Sequence, residues 1–80
     1  MSNNDYFTLL EAPMGTYIVE RINAGRKANT RLSALGVLPG TEVEKQNYST
    51  NNPVMLDIKN RGRIALGRGL SEKIIVKVKL

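Results

Sequence analysis

The sequence predicts a mainly β fold of five to six short strands with one short helix after the first strand, and three observations predict it. Val54, Leu56 and Ile58 alternate with Met55 and Asp57, and Ile74, Val76, Val78 and Leu80 alternate with Ile75, Lys77 and Lys79, the period of two that puts one strand face in and the other out. Glycine and proline recur at short intervals from Pro13 to Gly69, which leaves room only for short elements joined by tight turns. The ten residues Arg31-Leu32-Ser33-Ala34-Leu35-Gly36-Val37-Leu38-Pro39-Gly40 spell out how a helix ends and a strand begins.

In chain order, residues 1–7 are polar and Asn-rich and read as a disordered N-terminal extension, with the domain proper at 8–80. Leu9 and Leu10 are expected to plug one end of the core, and Pro13-Met14-Gly15 turns the chain into a strand over Thr16–Ile22. Its apolar residues fall on both faces, so it is buried on more than one side or bent. The helix runs over about residues 26–35, favoured from Lys27, with Asn23 and Asn29 both acceptable N-caps. Leu32 and Leu35 share the face that docks on the core. Gly36 is the stop, since a residue just past a helix end needs the left-handed conformation, where a side chain costs about 1 to 2 kcal/mol. Val37 then falls where a Schellman ending returns an apolar side chain to Leu32, and Pro39-Gly40 suits a type II turn from Leu38 to Thr41.

Beyond that corner, the mostly polar run Thr41–Tyr48, with Val43 inward, reads as an exposed or edge strand, open to weak homo-oligomerisation. Residues 49–53 are a polar loop. Lys59-Asn60-Arg61-Gly62 reads as a hairpin turn with positive φ at Gly62, Ile64 and Leu66 continue the inward face, and Gly67–Ser71 reads as a single helical or 3₁₀ turn. So many short strands in so short a chain are accommodated by a strongly bent sheet closed on itself, a small SH3-like barrel.

Composition removes several classes of chemistry. The 80 residues contain no Cys and no His, so disulfides, the usual zinc sites and an imidazole base are out of reach, and Ser and Thr lack a partner to activate them. No apolar run reaches the ~18 residues of a membrane span and no signal peptide is evident, which points to a cytoplasmic protein without membrane insertion. The sequon Asn47-Tyr48-Ser49 is therefore read as chance. Glu42 and Glu44, two apart on a strand and about 7 Å from each other, are the weak candidates for a metal ligand pair, against the simpler reading of a solvated strand face. Gly67-Arg68-Gly69 begins like a phosphate loop, but Glu72 stands where a third glycine is needed.

The net charge of +5 biases the chain toward anionic partners. A single-stranded nucleic-acid groove also needs exposed aromatics for stacking, and Tyr17 is expected in the core, so that reading is disfavoured. An apolar docking patch from Leu38, Pro39 and Met55, aided by the basic residues Arg61 and Arg63, is the alternative the residues offer. The competing reading of Leu38 is that it closes the barrel.

The pattern Arg31-Leu32-x-x-Leu35-Gly36-Val37-x-Pro39-Gly40, with the Ile64-Ala65-Leu66 strand and the Ile74-Ile75-Val76-x-Val78 ending, resembles the FeoA family of ferrous-iron-transport accessory proteins over about residues 9–80. The resemblance implies a non-enzymatic cytoplasmic SH3-like domain that assists a FeoB-type membrane iron permease by docking on its cytosolic GTP-binding region. It associates the chain with Fe²⁺ without supplying a tightly bound cofactor, because oxygen ligands alone compete poorly for that ion. A similar module closes iron- and manganese-dependent repressors, so a role in metal-dependent regulation is an alternative, as is a basic nucleic-acid-binding small barrel. No DNA-binding and dimerisation region is recognisable beside it, which favours the transport accessory.

Overall fold

The computed structural model describes residues 5–48 and 52–80. Its elements are β1 (Tyr6–Thr8), β2 (Gly15–Ile22), α1 (Arg26–Ala34), β3 (Glu42–Lys45), β4 (Val54–Ile58), β5 (Gly62–Leu66), the single turn α2 (Arg68–Ser71) and β6 (Ile74–Val78). All strands pair antiparallel in one sheet of order β1-β6-β2-β3-β4-β5. This is the mainly β SH3-like architecture that the alternating strands and tight turns predict.

The sheet rolls because its longest strand bends. Between Val19 and Arg21 the register of β2 against β6 shifts by one residue, and such a bulge increases local twist and curves the strand. Strand parity then gathers Tyr17, Val19, Val43, Leu56, Ile58, Leu66, Ile74 and Val76 inside, with Leu32 of α1 and Leu9 of the β1–β2 connection in the same cluster. Phe7 packs edge-to-face on Tyr17, ring centroids 6.1 Å apart. Asn47 fastens the mouth of the β3–β4 loop, donating to Pro53 O at 3.0 Å and accepting from Met55 N–H at 2.9 Å. Most of the polar loop expected at 49–53, and Ser49 of the sequon, lie outside the described residues.

Several expectations are corrected. Tyr6–Thr8 is a strand and Asp5 O accepts from Val78 N–H, so order begins before residue 8 and the helix follows the second strand; the free edge of β6 offers this short segment a ladder. The run expected as an edge strand over residues 41–48 is ordered as β3 between β2 and β4, and the end strands of the ladder are β1 and β5. These two are not paired with each other among the described residues, so the roll stops short of a closed ladder. The N-cap of α1 is Gly25, without a side-chain cap; Asn29 instead turns its amide back to Ala24 O at 2.7 Å. Leu80, expected inward, lies past the end of β6 and is 98% exposed.

Candidate functional site: the corner after helix α1

Three consecutive devices build the corner. At the end of α1, Val37 N–H donates to Leu32 O at 2.8 Å and Gly36 N–H to Ser33 O at 2.9 Å, the paired bonds of a Schellman ending. Gly36 has φ +93°, and Val37 and Leu32 are both fully buried, as the spacing predicts. Thr41 N–H then donates to Leu38 O at 3.0 Å across Pro39-Gly40, with Gly40 at φ +92°, matching the type II turn. The turn is stitched to the bulged part of β2 by Gly40 N–H to Val19 O at 2.8 Å and Val19 N–H to Thr41 O at 2.9 Å. Leu38 is thus held rigidly at the tip and is 45% exposed; closing the barrel is left to its buried neighbour Val37.

The β4–β5 hairpin brings Arg61 to the same place. Arg61 N–H donates to Ile58 O at 2.9 Å, with Asn60 at φ +68° and Gly62 at φ +99°. The Arg61 side chain lies over Gly36 so closely that a methyl group added there would fall 2.5 Å from Nε and 2.6 Å from Cδ. A guanidinium in that position faces the negative end of the helix dipole, as does Arg31 in the last turn of α1. Leu38, Pro39 and Arg61 therefore share one rigid corner.

Met55 and Arg63 stand elsewhere. Met55 is half-buried and pairs with Ala65, three residues along β4 from the turn that carries Arg61, or about 10 Å. Arg63 faces Asp57 in the β4–β5 register and lines a cleft with Met14, Glu44 and Gln46. Glu42 and Glu44 do project from one side of β3, but Glu42 Oε1 is engaged by Lys59 Nζ at 3.5 Å and Lys79 Nζ at 3.8 Å. Among the described residues no three His, Cys, Asp or Glu side chains converge as a metal ligand set.

Lys45 is a residue that sequence reasoning missed. It is 3% exposed, and its ammonium donates to Leu9 O at 3.0 Å, Leu10 O at 2.9 Å and Ala12 O at 2.7 Å, using all three of its protons. Those carbonyls end the single turn after β1, in which Glu11 and Ala12 N–H both bond Thr8 O. Lys45 therefore acts as an internal cap for the N-terminal segment. Burial pushes its pKa below the ordinary lysine value. The available signal was parity: Lys45 follows Val43 by two and so shares its inward face.

With that geometry in place, comparison with known proteins decides the family. Residues 7–78 match the family model of the FeoA domain. The chain belongs to the FeoA family. No curated protein sequence matches it significantly, but solved structures do. A crystal structure of an iron uptake regulatory protein (FeoA) superposes with TM-score 0.82 at 26% identity, over 90% of this chain and 96% of that one. The solution structure of iron(II) transport protein A from Clostridium thermocellum gives TM-score 0.78 at 26% identity, over 90% of this chain and 45% of that one. The apo manganese-activated repressor ScaR gives TM-score 0.81 at 24% identity over 90% of this chain but 35% of the repressor, a likeness of fold.

Proposed function

We propose that this FeoA-family chain is a non-enzymatic cytoplasmic accessory of ferrous iron uptake that docks through the Leu38-Pro39-Arg61 corner on the cytosolic GTP-binding part of a FeoB-type permease. Family membership supports the part in ferrous iron transport. What supports the corner is a large apolar side chain, Leu38, kept 45% exposed by two glycine-dependent turns and backbone bonds to β2. A leucine that rigidly presented loses little entropy on binding, which favours affinity. Among the described residues no helix is long and apolar enough to cross a membrane, in keeping with a peripheral partner. Fe²⁺ is the permease's cargo in this reading, and Glu42 serves its two lysines.

The test is titration of the permease's cytosolic part with wild type and Leu38→Glu, with circular dichroism to verify folding. Burying a leucine is worth about 1.5 to 3 kcal/mol, so affinity should fall at least about tenfold. Unchanged affinity in a folded variant removes this corner from the interface.

A further inference from the structure

The charge of this chain is sharply segregated. Residues 21–41 and 58–71 hold eight of the twelve Lys and Arg and none of the seven Asp and Glu. The two segments meet where the Arg61 side chain crosses Gly36, and Lys59 N–H donates to Glu42 O, one residue past the end of the first, at 3.1 Å. Lys59 is neutralised by Glu42, and Arg63 turns to another cleft. Of the other six, Arg21 lies in β2 and Arg68 in α2; Arg26, Lys27, Arg31 and Arg61, all exposed, lie along α1 and at the corner beyond it, and no acidic side chain among the described residues forms an ion pair with these four.

Stability explains only half of this set. Arg31 and Arg61 sit at the negative end of α1 and complement it. Arg26 and Lys27 occupy its first two positions, the positive end, where cations are unfavourable. Lys27 also faces Arg31 one turn on, a like-charged pair that weakens a helix. The first turn contains no acid and Gly25 supplies no side-chain cap, so nothing local compensates. Ordinary solvated surfaces intersperse both signs, whereas here a short helix carries a single sign against its own dipole.

We propose that this cationic surface, Arg26 and Lys27 at the start of α1 with Arg31 and Arg61 at its far end next to the Leu38 tip, recognises an acidic protein surface with an apolar slot for the leucine at one end. This rests on the docking reading above and adds the chemistry of the partner's face. Complementary charge governs encounter rate and orientation, while the leucine supplies contact once docked. A nucleic acid is the less fitting anion, because an apolar tip replaces the stacking aromatics that such sites use.

The experiment compares wild type, Arg26→Glu/Lys27→Glu and Leu38→Glu against the permease's cytosolic part at 50 and 500 mM salt, with a single-stranded DNA oligomer as a second titrant. The double reversal is expected to bind at least tenfold more weakly at 50 mM, chiefly through a slower on-rate, with the gap closing at 500 mM. Its melting temperature should equal or exceed that of wild type, because acids now occupy the positive end of the helix, so misfolding cannot account for the loss. Wild-type binding that ignores both salt and the reversal overturns the acidic surface while leaving the docking reading intact. Absence of wild-type binding at either salt overturns both. Tighter salt-dependent binding to the oligomer than to the permease part overturns the protein surface in favour of nucleic acid.

Discussion

Replacing Lys45 with Met keeps the aliphatic stem and removes the ammonium that donates to Leu9 O, Leu10 O and Ala12 O, so that the buried oxygens of Leu9 and Ala12 lose this donor. The Lys45 bond to Leu10 O is partly buried, so that oxygen can regain water when the turn loosens, whereas the bonds to Leu9 O and Ala12 O are buried. Each orphaned buried carbonyl costs about 1 to 3 kcal/mol. Against this, the variant no longer desolvates a charge, a burden visible in the lowered pKa of Lys45, and a thioether packs well in its place. The balance is a loss of about 2 to 4 kcal/mol, a large fraction of the roughly 4 to 12 kcal/mol that a domain of this size holds. Urea unfolding followed by circular dichroism should show the midpoint falling by about 1 to 3 M. Amide exchange should quicken first at Leu9 and at Val78, whose N–H bonds Asp5 O. A loss below about 0.5 kcal/mol, with β1 protection unchanged, would refute the view that this ammonium holds the N-terminal segment.

The corner gives a second prediction. Gly36→Ala should cost about 1 to 2 kcal/mol of backbone strain and lower the melting temperature by roughly 4 to 16 °C; adding Arg61→Ala should relieve any steric part and leave the strain, and a neutral Gly36→Ala would contradict the left-handed assignment. Tyr17→Phe removes a bond from the hydroxyl to Pro13 O at 2.6 Å and should cost about 0.5 to 1.5 kcal/mol near neutrality. Burial raises the Tyr17 pKa above 10.0, so above that pH the unfolded chain binds fewer protons than the folded one and stability falls as pH rises. Lys45 contributes the opposite slope below its ordinary 10.5 in both proteins, so the wild-type minus Tyr17→Phe difference should shrink above pH 10, and a constant difference would be wrong for this mechanism. Excess Mn²⁺ or Fe²⁺ should leave thermal unfolding unmoved, since Glu42 is engaged by two lysines; stabilisation approaching about 2.7 kcal/mol at a hundred times a dissociation constant would establish a folded-state metal site.

What the chain shows by itself is whatever depends on near neighbours. The positive φ at Gly36, the Schellman partnership of Leu32 and Val37, the Pro39-Gly40 turn and the inward set Val54, Leu56 and Ile58 were all legible, because backbone sterics and strand parity act over a few residues. The strand character of Tyr6–Thr8 was not, since it exists only because β6 offers an edge. Nor was the interior place of β3, whose polar composition misleads until β2 and β4 lie on either side, or the role of Lys45, whose acceptors lie more than thirty residues away. The corner shows the same division. Leu38 could be singled out from sequence, but its union with Arg61, whose side chain lies over Gly36, was decided by which strand ends and turns the rolled sheet brings together. Local chemistry thus sets each turn and face, and only the long-range packing of the sheet determines which of those faces meet.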